Sequence, residues 1–536
     1  RRQPQRPSGP QTIRNFTRHC VRFLTQHTPS PKLSDLRNLT VVFDLQRSIL
    51  AACTLLLLSS AVSAVSASEG AFNIITPTPA AYAPGVASIT ESDSERILRH
   101  LVEGEMSGRG TGQEGFLKAA KWFSTQLEVN GFQPAGENGS WFQNVPFIKL
   151  LVHADATNIT IDDAECVAGT SFGISSFAGN FEGSTPVTLV RLTSTPPEIV
   201  DGEYSGRLLV VQSTRRFNAE DAFVLKAKPA CLLIVADDGR VRNEAVNQTA
   251  QTPSAIPVAM ITRDAANALA AKCGAATEFF EKGEPTKNLT LDSSQVVECK
   301  LSIERESIDV PNVVGWYPGS DEAVRNEHIC IGAHLDHLGV QRGELYPGAD
   351  DNGSGSTALL QIAKAIHSNP VKPERSILMI AFCAEERGLL GSKHYTSNPL
   401  RPLKDMICML NIDMIGRNEE TASEPASDNI NTIHLVGSKD HSMQLHQMTE
   451  KANESVGFVF EYDEEERVDG RSDHASFSEK GIPVTFLFGG FSPYYHKPTD
   501  TMDGINFSKI ANAARLNYLV LMMAAEHGQF QLDVKQ

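Results

Sequence analysis

Three short stretches concentrate groups able to bind a cation or move a proton: Ala333-His334-Leu335-Asp336-His337, Gly348-Ala349-Asp350-Asp351-Asn352-Gly353-Ser354-Gly355 and Ala384-Glu385-Glu386-Arg387-Gly388. Each closes an apolar run or opens a helical one. Adjacent carboxylates repel and are costly to bury without a neutralising cation, so pairs at such junctions point to a metal ion. Downstream, Asp413 ends the apolar run Ile407–Asp413, and His496 follows Tyr495. Together His334, Asp350, Glu386, Asp413 and His496 offer two imidazoles and three carboxylates. Calcium or magnesium would prefer oxygen throughout, so the imidazoles favour zinc or a similar transition metal. Two Zn2+ sharing one carboxylate need about this set, with positions left for water.

The elements that must position these groups alternate from Val310 onward. Strands are predicted at Ile329–Ala333, Ile377–Cys383, Ile407–Asp413, Thr432–Val436 and Pro483–Phe488, with helices at Gly355–Ser368, Leu389–Asn398, Ser442–Val456 and Phe507–His527. Uninterrupted apolar strands such as ILMIAFC imply burial on both faces, the signature of an α/β fold, here a three-layer α/β/α sandwich on a mixed, largely parallel sheet. Ligands in such sheets gather at the carboxyl ends of strands, where His334, Glu385, Glu386 and Asp413 fall. Upstream, Ser92–Val129 reads as two helices around a glycine-rich break at Gly108–Gly115, followed by a Trp141–Val152 strand. Residues 153–299 carry short apolar runs with two helical stretches, a smaller β-rich unit. Its order of elements resembles the protease-associated domain, inserted between catalytic segments 90–150 and 300–530.

The motifs H-x-D, A-D-D-x-x-S-G, A-E-E-x-G-L-x-G-S, N-x-D-M and Y-H-x-x-x-D are met at His334–Asp336, Ala349–Gly355, Ala384–Ser392, Asn411–Met414 and Tyr495–Asp500. On these the chain resembles the di-zinc aminopeptidase family, zinc exopeptidases related to bacterial leucyl aminopeptidases and glutamate carboxypeptidase II. The resemblance implies that Asp350 bridges two zinc ions, that His334 and Asp413 complete one, and that Glu386 and His496 complete the other. It also implies that Glu385 is the general base, that Tyr495 donates to the oxyanion, with Tyr494 a competing candidate, and that the Asp350–Asp351 peptide is cis. Asp336 is expected to orient His334, since a ligating imidazole usually donates its other N–H to a carboxylate or carbonyl. With five ligands assigned, Asp473 and His474 are expected to shape the pocket wall, and His337 and His394 are left without a role. The acidic run Asp463–Glu466 reads as a solvated loop.

The function this implies is removal of N-terminal residues from peptides. Alternatives on the same fold are a carboxypeptidase, a glutaminyl cyclase or a non-catalytic binding protein. A cationic cluster to hold a terminal carboxylate is not visible in the sequence, and the retained ligands and base argue against the other two. Net charge is −16 over 536 residues. Residues 1–67 hold nine Lys/Arg and two Asp/Glu, leaving 39 basic against 62 acidic residues, or −23. Such a surface argues against nucleic acid or an anionic membrane as partner. Residues 1–67 read as a leader whose segment 48–67, Leu-rich and ending in Ala/Ser repeats, resembles a cleavable secretory signal, implying a secreted or periplasmic protein not held at a membrane once it is cut; the less favoured alternative is an uncleaved signal anchor. Nine cysteines show no metal-binding or framework spacing, and Cys330, Cys383 and Cys408 sit in apolar runs as buried thiols.

Overall fold

The computed structural model describes residues 72–533, apart from 154–155, 162–163, 168–169, 175–178, 215–217, 219, 237–240, 242–243, 249–255, 277, 342 and 463–468. The leader with its 48–67 segment and the acidic run 463–466 therefore lie outside the described residues. Among the described residues no helix is long and apolar enough to cross a membrane.

The central sheet is built from β1 (Phe142–Val152), β2 (Glu244–Gln248), β3 (Ile303–Tyr317), β4 (His328–His334), β5 (Ser376–Phe382), β6 (Met406–Asp413), β7 (Thr432–Val436), β8 (Val459–Glu461) and β9 (Val484–Phe488). Their order is β8-β7-β9-β6-β4-β5-β3-β1-β2. The middle run β9-β6-β4-β5 is parallel, and β3, β1 and β2 continue it antiparallel on one side. Strand alternation supplies two cores from one sequence run. Ile377, Met379 and Ala381 of β5 face a layer containing helices α1 (Gly355–Ser368) and α2 (Phe507–His527), while Leu378, Ile380 and Phe382 pack with Tyr395 and Phe477 of the opposite layer. Helices therefore cover both faces. α1 is buried almost all round because it lies between the sheet and α2, which explains why its apolar pattern shows no clean stripe.

Strand register, more than topology, positions the polar groups. His334 pairs with Phe382, Gly332 with Asn411, and Asp413 with Phe488. The carboxyl ends of four parallel strands thus finish in one row, and the loops leaving that row carry the polar clusters.

Residues from Asn158 to Leu301 form a second, eight-stranded sheet with its own apolar cores. It is not separated cleanly at 153–299, because β2 crosses back to pair with β1, Phe147 opposite Gln248, and Leu150, Ile174 and Ala245 form a small shared core. The long strand Leu289–Leu301 also runs almost directly into β3, which ties the two sheets together through continuous backbone.

Candidate metal centre

His334 and Asp413 are the last residues of β4 and β6 and lie side by side. His334 Nε2 is 3.2 Å from Asp413 Oδ1 and 3.9 Å from Glu385 Oε2. A second group forms where the turn after β5 meets the loop before α2. Glu386 Oε2 is 3.1 Å from His496 Nε2, and its Oε1 is 2.7 Å from His337 Nδ1. Asp351 stands between the groups, with Oδ1 3.4 Å from His334 Nε2 and Oδ2 3.2 Å from His496 Nε2. One carboxylate thus faces both histidine sets.

That carboxylate is not Asp350, which the motif resemblance placed there. Asp350 turns away: its Oδ1 accepts from the amides of Gly416 at 2.6 Å and Arg417 at 3.1 Å, and from Ser354 Oγ at 3.2 Å. Within Ala349–Ser354 the backbone leaves helical angles at Asp351, which is extended with φ −97° and ψ 102°, and its side chain parts from that of Asp350. Only one of the two can enter the site. The cis peptide likewise falls at Asp351–Asn352, one residue beyond its expected place.

The residues present fit a cationic group. Asp351, Glu385, Glu386 and Asp413 converge with His334 and His337 into two clusters whose donor atoms lie close together. Burial and the neighbouring Glu386 push the Asp351 carboxyl above its ordinary range, and burial does the same to Glu385. Burial opposes a charge on His496, but Asp351 and Glu386 outweigh it and raise the imidazole to about 10. Beside the 2.7 Å contact between Glu386 and His337 Nδ1, the ring's Nε2 is buried without a hydrogen-bond partner among the described residues. The carboxylates and imidazoles crowded here would be neutralised and held together by a bound cation.

Comparison with known proteins agrees with the chemistry of this donor set. Residues 312–521 match the model of peptidase family M28. The chain is 35% identical over 196 residues to aminopeptidase YwaD of Bacillus subtilis, and 30% identical over 236 residues to leupeptin-inactivating enzyme 1 of Streptomyces exfoliatus. The aligned stretches cover 35% and 40% of this chain but only 39% and 48% of those relatives' own lengths. Among solved structures, a zinc aminopeptidase from Bacillus subtilis superposes with a TM-score of 0.54 at 19% identity, covering 81% of this chain and 95% of that one. The aminopeptidase from Aneurinibacillus sp. strain AM-1 gives 0.53 at 20% identity, covering 84% and 98%. At such identity the likeness speaks for the fold.

Several residues outside the expected ligand set hold the site together. Arg109, fully buried in the glycine-rich break, donates to the carbonyls of Leu335, Pro347 and Gly348 at 2.9, 3.0 and 2.7 Å, and so ties the His334 loop to the Asp351 loop. Burial draws its pKa down to about 10, which still leaves it charged. Asp500, last residue of the Tyr495–Asp500 motif, accepts from the amides of Asp350 and Asp351 at 3.0 and 3.2 Å and pairs with Arg417 at 3.0 Å. Ser472 Oγ donates to Asp413 Oδ2 at 2.7 Å. Asp336 does support His334, but through its backbone carbonyl, 3.0 Å from Nδ1. Its carboxylate instead accepts from Thr111 Oγ at 2.8 Å and the Glu385 amide at 3.1 Å, and burial raises it to about 6. A basic residue beside glycines was the one visible signal for Arg109; the others are polar residues whose partners lie far along the chain.

The pocket is lined by His334, Asp351, Glu385 and Asp413 together with Met414, Phe486, Phe488, Phe491 and Arg471. Tyr495 also lines it, stacked on His496 at 3.8 Å between ring centroids, with its hydroxyl 3.5 Å from Arg471 Nη2. Tyr494 instead lies against the Arg417 guanidinium at 4.3 Å and is not part of the lining. His474 backs the wall by stacking on Phe486 at 4.5 Å, and Asp473 is fully buried beside it, pushed up to about 7 by burial. His394 sits on the helix Leu390–Ser397, outside the lining.

Proposed function

We propose that the protein is a zinc aminopeptidase with a two-ion centre. The observation that carries this reading is Asp351, whose two oxygens face separate imidazole and carboxylate sets, with the Glu385 carboxylate beside them. His334 and Asp413 would hold one ion, Glu386 and His496 the other, and Asp351 both. Zinc bound there supplies Lewis acidity that favours water ionisation and polarises a carbonyl. Glu385 takes the proton from the attacking water as its oxygen bonds to the scissile carbonyl carbon, then delivers it to the amine nitrogen as the C–N bond breaks. Its amide, anchored on Asp336, fixes the turn from which it reaches in. Tyr495 donates its hydroxyl to the carbonyl oxygen as negative charge develops there. Met414, Phe486, Phe488 and Phe491 would bury an apolar side chain of the substrate and exclude water.

Peptides are the substrate class this reading implies, and the named activities of the relatives support it. Secretion rests on the 48–67 pattern alone, and the eight-stranded insert would be a protease-associated domain acting as a wall beside the catalytic unit. One experiment tests the function: zinc-loaded protein is incubated with matched peptides carrying a free or an acetylated N-terminus and a free or an amidated C-terminus. Release of the first residue only from free N-termini supports it. Release of the last residue would instead assign a carboxypeptidase that uses Arg471, and absence of cleavage with two zinc ions bound would leave a binding protein.

A further inference from the structure

His337 is the residue in this site that the five-ligand assignment leaves idle. It lies three residues beyond His334, past the end of β4, and its side chain is fully buried. Its position is built rather than incidental. A Cβ placed on Gly348 would meet the ring at 2.4 Å, so only glycine there lets the imidazole seat against the loop, and Gly348 also has the left-handed φ of 61°. On another side His496 packs edge-on at 5.9 Å. The amide of His337 is fixed by the Arg109 carbonyl at 3.1 Å.

So held, the ring offers Nδ1 to Glu386 Oε1 at 2.7 Å and to Asp351 Oδ2 at 3.7 Å. Nδ1 and the Glu386 oxygen form a close ion-pair contact in a fully buried place, and Nε2 of the ring has no hydrogen-bond partner among the described residues. Two donors about 2.0–2.1 Å from one tetrahedral zinc lie roughly 3.3 Å apart. The four contacts among His337, His496, Glu386 and Asp351 are 2.7, 3.1, 3.2 and 3.7 Å, scattered about that spacing. The other group has no second imidazole: His334 meets Asp413 and Asp351 at 3.2 and 3.4 Å, with Glu385 farther off at 3.9 Å.

We propose that His337 is a third imidazole ligand, donating Nδ1 to the ion held by Glu386, His496 and Asp351. This rests on the two-ion reading above and sharpens it. The ion on that side is closed by four protein donors, whereas the ion at His334 and Asp413 keeps open positions beside Glu385. The centre is then unequal, with one ion chiefly anchoring and one exposed to water. His337 forms the enclosed end of the closed site and His496, whose side chain is 37% exposed, the outer end.

The test compares wild type, His337→Ala and His337→Gln, each loaded with cobalt(II) or zinc. Metal content, X-ray absorption and the cobalt visible spectrum are read, without reference to turnover. Wild type is expected to bind two ions with three imidazoles between them. His337→Ala should lose one imidazole, bind one of the two ions at least about 10-fold more weakly, and recover the wild-type spectrum when free imidazole is added. His337→Gln, which preserves volume, gives the same spectral change if the alanine variant does not fold. Two ions with an unchanged imidazole count and spectrum in the variants would overturn the inference, making His337 a mere support for Glu386. Failure of wild type to bind two ions would instead overturn the reading on which it rests.

Discussion

The two adjacent-carboxylate pairs look alike in sequence and are used differently in the fold. In Asp350–Asp351 one carboxylate serves the scaffold: Asp350 accepts two backbone amides and a hydroxyl, and only Asp351 enters the site. In Glu385–Glu386 both enter, Glu386 toward His337 and His496 and Glu385 toward His334. The cause is backbone shape. In the first pair the backbone leaves helical angles at Asp351, which turns its side chain away from that of Asp350, whereas Ala384–Gly388 is a tight turn with left-handed residues at both ends, which lets successive side chains fan to one side. A doublet of acids therefore predicts a charged site without saying how many of the two it contains.

The largest expected effect separates the members of the first pair. Asp351→Asn should abolish turnover, by about 10³-fold or more, and release at least one metal ion, since it removes a charged donor facing both groups. Asp350→Asn should keep both ions and most activity, because an amide oxygen can still accept from Gly416 and Arg417, and should lose about 1–2 kcal/mol in urea unfolding. Metal analysis beside unfolding curves decides the matter. Metal loss on Asp350→Asn with retention on Asp351→Asn would reverse the assignment.

The second pair is probed by Glu385→Gln and Glu386→Gln. Loss of the proton acceptor should lower kcat by about 10²–10⁴-fold with two ions still bound. Loss of Glu386 should instead lower metal content. Should both variants release metal equally, the division of labour within the turn is wrong. Next in size, Tyr495→Phe should lower kcat by about 10²-fold with little change in KM, the pattern of a donor used only in the transition state; a change confined to KM would make the ring a packing element.

Legibility in the sequence divides along the same contrast. The apolar runs gave β5, β6, β7 and both long helices nearly residue for residue, because burial on both faces leaves a dense signal. Four of the five expected ligands, His334, Glu386, Asp413 and His496, meet in space, since strand ends and motif spacing position them. The Asp350 assignment missed by one residue because side-chain direction inside a loop depends on φ and ψ that composition does not encode. β2 was also missed as part of the central sheet: five residues within the insert carry no mark showing which sheet they will join. Arg109 and Asp500 illustrate the same limit, since their roles are hydrogen bonds across 226 and 150 residues of chain.

The smallest effect concerns the support behind the second pair. Asp336 holds the Glu385 amide with one oxygen and receives Thr111 Oγ with the other. Thr111→Val is nearly isosteric and removes that donor, leaving a buried carboxylate oxygen unsatisfied at a cost of about 1–3 kcal/mol. The other oxygen keeps its bond to Glu385, so the base should be displaced little and kcat should fall only a few-fold, with metal content unchanged. The comparison with Asp350→Asn is then direct: both substitutions weaken polar scaffolding next to a carboxylate pair without deleting a donor to the metal. A Thr111→Val variant that lost metal would show that Asp336 supports His334 through its carboxylate after all. An unchanged stability would mean that the Asp336 oxygen is satisfied without the hydroxyl, and that the turn bearing Glu385 and Glu386 is fixed by its own left-handed residues.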